Sequence, residues 1–283
     1  MKKTKRRRLV EIAVIVLAVL LVGLISWFAV IAVPQLRGKG VRYETTKLLK
    51  DKGEVKMIAH RGLSGITLEN SVPAFELAGQ KSYYGIETDV HVTKDGKYII
   101  VHDDTLERIA GLNLVIEETD YETLRALRFK DVYGKSEEEN MYLPSLNEYL
   151  EICKKYDKQA ILELKNKMEP QDVLGIAKAV EESGWFERTT FISFSGENLV
   201  ELRKGYPTVD AQYLLEEVTE EEIQFMVENR LDADLRWDCI KKKLVERLHN
   251  EGLKVNCWTV DGRECARMMM YCGVDFITSN ILE

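Results

Sequence analysis

"GIETDVHVTKDGKYIIVH", residues 85–102, is the stretch whose reading decides the fold. Two strand-like runs, 85–90 (GIETDV) and 98–102 (YIIVH), flank Asp95-Gly96. An Asp-Gly pair between such runs signals a tight hairpin, because glycine supplies the positive φ that these turns require. The second run is therefore expected to lie antiparallel beside the first. Within the first run, Glu87 and Asp89 are two apart, so a strand places both carboxylates on one side.

Outward from this hairpin, short β-branched or apolar runs alternate with helical patterns. The strand candidates are 57–60 (MIAH), 85–90, 98–102, 160–164 (AILEL), 190–194 (TFISF), 211–215 (AQYLL), 231–235 (LDADL), 254–259 (KVNCWT) and 274–278 (VDFIT). Between them, "SLNEYLEICKKY" carries apolar residues at 146, 149, 150 and 153, the helical period. "EEEIQFMVENR" and "KKKLVERLHNEG" behave likewise, and Gly252 and Gly273 stand where helix C-caps are expected before strands. Strand–helix alternation of this length indicates a parallel sheet closed into a (β/α)8 TIM barrel. Nine candidates are one too many for eight barrel strands, and the antiparallel hairpin strand accounts for the extra one. Near the first strand, Asn70 is expected to cap the first helix, with Pro73 in its first turn.

The N-terminus reads differently. "MKKTKRRR" (1–8) precedes "LVEIAVIVLAVLLVGLISWFAVIAV" (9–33), which contains one charge, Glu11. About 20 apolar residues span a bilayer core, whereas a cleaved signal peptide usually has a shorter apolar region. Residues 9–33 are read as a single uncleaved transmembrane helix in the cell membrane. The preceding basic cluster puts the N-terminus in the cytosol and the large domain outside. Residues 34–56 read as a polar linker, and 57–283 as the barrel domain. Residues 1–42 hold nine of the 40 Lys and Arg and one of the 47 Asp and Glu, so the rest carries 31 basic and 46 acidic residues, a formal −15. So acidic a body repels phosphate backbones and argues against a nucleic-acid partner, while suiting a site centred on a divalent cation. The five cysteines form no CxxC pair and read as mostly free thiols, with one bridge left open.

In such barrels the chemistry sits at the C-terminal ends of the strands. Here those ends carry His60-Arg61, Glu87 and Asp89, His102-Asp103, and Glu163 with Lys165. Three carboxylates facing one interior repel each other unless paired or metal-bound, and all-oxygen ligands suit Mg2+ or Ca2+. Histidines titrate near working pH and serve as general acid or base. Arg61 and Lys165 suit an anionic oxygen such as a phosphate. Each signal alone has an ordinary structural explanation; their conjunction on separate strands is what points to a phosphoester beside a base. His91 falls on the other face and His249 on a surface helix, so neither is counted.

The motifs "AHRG…LENSVPAF", "GIETDVHVTKDGKYIIVHDDTLERIAG", "LPSLNEYL", "ILELK", "FISFS" and "CWTV", in that order, resemble the glycerophosphodiester phosphodiesterase family over about residues 56–280. The resemblance implies a TIM barrel, a divalent metal, and hydrolysis of glycerophosphodiesters to glycerol 3-phosphate and an alcohol. It puts the catalytic histidines on His60 and His102 and the metal carboxylates on Glu87, Asp89 and Glu163. Substrate contacts fall on Arg61, Lys165 and Trp258. Three departures stand out: Ala110 replaces a usual threonine, the insertion after His102-Asp103 is short, and Ser279 replaces an aspartate at the last strand. The expected reaction is in-line phosphoryl transfer with one histidine as base and the other as acid, in an order the sequence leaves open. The rivals are a lysophospholipase D or phospholipase acting on membrane lipids, and a non-catalytic barrel that binds polyol phosphates.

Overall fold

The computed structural model describes residues 46, 47, 49, 52–130 and 141–283. The expected membrane span, the basic tail and most of the expected linker lie outside the described residues. No helix among the described residues is long and apolar enough to cross a membrane.

The strands are β1 (Lys56–Ala59), β2 (Gly85–Val92), β3 (Tyr98–Ile100), β4 (Gln159–Leu164), β5 (Thr189–Ser193), β6 (Asp210–Leu215), β7 (Asp232–Arg236), β8 (Val255–Trp258) and β9 (Phe276–Ser279). Eight of them run parallel in the order β1-β2-β4-β5-β6-β7-β8-β9, and β1 pairs with β9 to close the barrel. The exception is β3, which pairs antiparallel with β2 (Val90↔Ile100, His91↔Ile99) across the Asp95-Gly96 turn. Gly96 there has φ 71°, the left-handed region that glycine enters freely. The hairpin expectation is therefore met, with a strand two residues shorter than expected, since the chain leaves β2 after Ile100 to carry His102 toward the barrel end.

Strand register sorts the side chains. Ile58, Ile161, Ile192, Leu214 and Phe276 pack together inside the barrel. Pairing places Glu87 beside Ile161 and Asp89 beside Glu163 on that same face, higher along the strands. The alternate residues, among them Ala59, Ile86, Val90, Leu162 and Leu164, join the larger core between sheet and helices. Burial on both faces is why these runs are near-continuously apolar. Outside the barrel, α1 (Val72–Gly79) packs on α4 (Leu146–Lys155). Among the described residues between β3 and α4 are two short helices, α2 (Glu107–Ala110) and α3 (Tyr121–Ala126), over a small separate core that includes Ile99, Leu106, Ile116 and Phe129. The short insertion is thus enough to build a wall on one side of the barrel mouth.

Two expectations change here. The N-cap of α1 is Ser71, whose Oγ accepts from Ala74 N, and not Asn70. Asn70 has φ 51° and its side chain is turned into the barrel end, where a carboxylate competes for its amide. Nor is the end of the expected linker free chain. Lys47 N donates to Ile281 O at 3.0 Å, Leu49 N donates to Glu283 O at 2.7 Å, and Leu49 is buried. The driving force is burial of Leu49 together with two backbone bonds. All five cysteines are free.

One hydroxyl ties the site-bearing strands together. Tyr149 Oη in α4 donates to Ile86 O at 2.7 Å and accepts from Ile161 N at 3.0 Å, wholly buried between β2 and β4. Tyr149→Phe leaves both groups without this partner, so a loss of about 1–3 kcal/mol is expected in denaturant unfolding. An unchanged midpoint would show that the strands close without it.

Candidate active site

β1 ends in a turn that only particular residues can make. Arg61 (φ 53°) and Gly62 (φ 71°) are both left-handed. A Cβ on Gly62 would stand 2.7 Å from the Ala74 carbonyl carbon, so any side chain there collides with α1. The turn aims backbone donors at β2: Arg61 N donates to Glu87 Oε2 at 2.7 Å, and Gly62 N to Glu87 O at 3.1 Å. It also sends the Arg61 guanidinium toward two acids, Glu69 (2.8 Å) and Asp89 (3.7 Å).

Glu87, Asp89 and Glu163 each offer a carboxylate oxygen, all within 4.8 Å of one another, and all three residues are buried. Lys165 Nζ lies 2.8 Å from Glu163 and 3.6 Å from Asp89. Asn70 Nδ2 donates to Asp89 Oδ2 at 2.7 Å, and Asn70 Oδ1 accepts from Thr88 Oγ1 at 2.7 Å. The acids respond unequally. Burial, then the charges of Asp89 and Glu163, push Glu87 well above the ordinary carboxylate range. Burial and then Asp89 push Glu163 up to about 8. Burial would raise Asp89 too, but Lys165, His102 and Arg61 outweigh it and hold Asp89 below its ordinary value. Without a cation, then, the trio is not fully ionised at neutral pH. Asp89 Oδ1 is also buried with no hydrogen-bond donor. Three hard oxygen donors, one of them without a hydrogen bond, fit a divalent cation such as Mg2+ or Ca2+.

The two histidines have different supports. His60 Nδ1 lies 2.7 Å from Asn280 Oδ1, a neutral amide. Burial and then Arg61 push His60 down to about 3. His102 Nδ1 lies 2.6 Å from Asp103 Oδ1, a carboxylate. Burial lowers His102 as well, opposed by Asp89 and by this bond. Asp103 Oδ2 accepts from Arg108 Nε at 2.6 Å, and Arg108 Nη1 and Nη2 reach the two Glu69 oxygens at 2.8 and 2.6 Å. Glu69 also accepts from Arg61, so a chain of charge-assisted bonds links His102 to Arg61. Within it burial would raise Glu69, but Arg108 and Arg61 bring it down to about 2. Beneath, the buried His91 Nε2 donates to the His102 carbonyl at 3.3 Å, which helps fix that segment.

The structure thus brings together His60, His102, Glu87, Asp89, Glu163, Arg61 and Lys165. Trp258 stands at the same barrel end on β8. Its Nε1 donates to Asp234 O at 3.2 Å, and its ring packs edge-on against Phe194 at 5.5 Å, giving the mouth an aromatic side. A cleft of about 630 Å³ opens beside His102 and Lys165, bounded by Asp104, Glu107, Arg108 and Asn166. Sequence reasoning assigned no role to Glu69, Asp103, Arg108, His91 or Asn280 and gave Asn70 the wrong one. For Asp103 the adjacency to His102 was an available signal; for Asn280 there was none.

Comparison with known proteins identifies the family and the fold. The model of the glycerophosphoryl diester phosphodiesterase family matches residues 60–282. A glycerophosphodiester phosphodiesterase of Caldanaerobacter subterraneus subsp. tengcongensis is 29% identical over 229 residues, covering 79% of this chain and 93% of the relative. A glycerophosphodiester phosphodiesterase structure from Parabacteroides distasonis superposes with TM-score 0.67 at 27% identity, covering 80% of this chain and 93% of that one. An Oleispira antarctica phosphodiesterase, solved with the product sn-glycerol-3-phosphate, has TM-score 0.73 at 24% identity, covering 80% and 92% respectively, and speaks for the fold.

Proposed function

The chain belongs to the glycerophosphoryl diester phosphodiesterase family and is a phosphodiesterase, and from that premise we propose a metal-dependent hydrolysis of glycerophosphodiesters in which His60 is the base and His102 the acid. The observation that carries the assignment is the unlike pair of Nδ1 partners, an amide for His60 and a carboxylate for His102. A neutral acceptor gives no Coulombic support to an imidazolium, so His60 rests neutral with a lone pair on Nε2. The Asp103 carboxylate does support an imidazolium at His102. Two like groups whose surroundings differ in this way divide the acid and base roles.

Arg61 and Lys165 attract the anionic phosphodiester, whose charge in turn offsets the cationic repulsion that both exert on His102. His60 takes a proton from the attacking water; where a free glycerol hydroxyl of the substrate attacks instead, a cyclic phosphate forms and water opens it in a second displacement with the two histidine roles reversed, giving glycerol 3-phosphate. The new bond forms at phosphorus and the bond to the leaving alcohol breaks. His102 gives its proton to that alcohol oxygen. Asp103, gripped by Arg108, holds the His102 ring on line. A cation held by Glu87, Asp89 and Glu163 would supply Lewis-acid stabilisation of the phosphate charge.

The test is release of glycerol 3-phosphate from glycerophosphocholine and glycerophosphoethanolamine by the detergent-solubilised full chain. Release should cease with EDTA and return with Mg2+ or Ca2+. No release from either substrate with either ion would overturn the reading. Phe194, which is 45% exposed beside Trp258, favours a second reading in which the alcohol carries an apolar group, as in a lysophospholipid. Micellar lysophosphatidylcholine would then be cleaved well above glycerophosphocholine. The apolar segment 9–33 and the basic residues before it support a single-pass anchor with the barrel outside the cell membrane. Resistance to alkaline extraction, with the barrel cleaved by protease added to intact cells, is the expected result.

A further inference from the structure

The Asn280 amide that meets His60 is itself held by a buried acid, Asp261, to which the reaction as described gives no role. Asn280 follows β9, and its amide stands between two groups. Oδ1 lies 2.7 Å from His60 Nδ1, while Nδ2 donates to Asp261 Oδ2 at 2.7 Å. The other Asp261 oxygen accepts from Asn280 N at 2.8 Å and from Ser279 Oγ at 3.0 Å. Asp261 is 4% exposed. A carboxylate accepts only, so the amide nitrogen must face Asp261 and the amide oxygen must face His60. An amide oxygen likewise accepts only. His60 must therefore carry its proton on Nδ1, which leaves Nε2 as the basic nitrogen.

We infer that Asn280 and Asp261 are positioning residues that set the tautomer and orientation of His60, in the order carboxylate, amide, imidazole. This rests on the reading of His60 as the base. Several contacts brace the arrangement. Ser64 Oγ lies 2.7 Å from both Asn280 Oδ1 and the His60 carbonyl. Gly65 N donates to Asn280 O at 2.9 Å, and a Cβ on Gly65 would stand 2.5 Å from that oxygen, so the close approach needs glycine. Ser279 Oγ accepts from Ile281 N and Leu282 N, and Lys47 and Leu49 bond to residues 281 and 283 beyond. Ser279 thus helps Asp261 hold the tail. The charged groups acting on His60 from the site side are Arg61, Asp89 and His102; Asp261 acts from behind, through the amide.

The decisive measurement is a long-range 1H–15N spectrum of the histidine rings in the full chain in detergent. The chain has four histidines, and His60→Gln identifies the His60 signals. Protonation at Nδ1 with Nε2 bare is expected; a proton on Nε2 of neutral His60 overturns the inference. Kinetics give the second readout. Asn280→Ala should lower kcat about 10–100-fold, by analogy with loss of the partner that orients a metal-ligating histidine, with KM little changed. Asn280→Asp puts a carboxylate on Nδ1 and favours the imidazolium. The acidic limb of kcat/KM should then move up by about one pH unit or more. If both variants lower Tm but leave that limb and kcat in place, the contact is merely structural and the inference fails. His60→Gln separates the two claims. Full activity in that variant defeats the base assignment, while the tautomer measurement still decides the positioning role.

Discussion

Replacing His102 by glutamine, and separately His60, is expected to lower kcat by about 10²–10⁴-fold while KM changes far less. Each ring is held through Nδ1 and has one nitrogen left for proton transfer. Glutamine keeps a polar group of similar reach but cannot cycle a proton near neutral pH. The double variant should be little worse than the poorer single one, because base and acid act in the same displacement. The two should differ toward substrates whose leaving alcohol is activated. A nitrophenyl diester needs no acid, so His102→Gln should regain much of its rate there and His60→Gln should not. Equal recovery in both would reverse or dissolve the assignment, and a loss below tenfold in both would remove the histidines from the mechanism. Asp103→Asn tests the support of His102 with a smaller expected loss, since the ring keeps a partner but loses the carboxylate charge.

Converting Glu163 to glutamine should cost about 10²–10³-fold in kcat, the usual effect of losing one preorganised electrostatic contact at a reacting phosphate. It should also change how stability depends on pH. Glu163 is raised to about 8 in the folded chain by burial and by Asp89. A carboxyl raised on folding favours the protonated native state. Its contribution is therefore fully present below its ordinary pKa, near 4.5, and is lost as pH rises through about 8. Glu87 shifts in the same direction. Asp89 is lowered, so its contribution is lost only on acidification and does not enter this window. The metal-free protein should accordingly lose Tm between about pH 5 and 8. A divalent cation at a hundredfold excess over its Kd should restore about 2.7 kcal/mol, or about 5–10 °C, with the gain growing as pH rises. Glu163→Gln should flatten the pH dependence and abolish the response to cation. A metal-free Tm that rises from pH 5 to 8 would mean that these acids are ionised without a cation, and the trio would not be a cation site.

Much of this was legible before any coordinates. Periods of two and 3.6, Gly252 and Gly273 at helix ends, and Asp95-Gly96 in the hairpin are local signals, and local physics decides them. Register was not among them, because barrel strands buried on both faces are near-continuously apolar and carry no alternation that would fix it. Once the barrel was inferred, the strand ends carrying His60, Glu87, Asp89, His102, Glu163 and Lys165 had to meet at one rim. The hairpin strand ended early, at Ile100, because the chain must leave the sheet for His102 to face the mouth.

Asn70 shows where local reasoning stops. An Asn just before a Ser-Val-Pro helix start is a good cap by propensity, yet Ser71 serves equally well, and the Asp89 carboxylate 19 positions away takes the Asn70 amide. The same holds for Arg108, which is 39 positions from the Glu69 it grips, and for Asn280, which is 220 positions from His60. By itself the sequence determined the kind of fold and which ionisable groups gather at one end of it. Only the tertiary structure decided which neutral or charged partner each of those groups received. That choice turns on hydrogen bonds of under 3 Å, several of them between segments that propensity treats as independent, and in a buried site the charge of such a partner biases an imidazole toward its neutral or its protonated form.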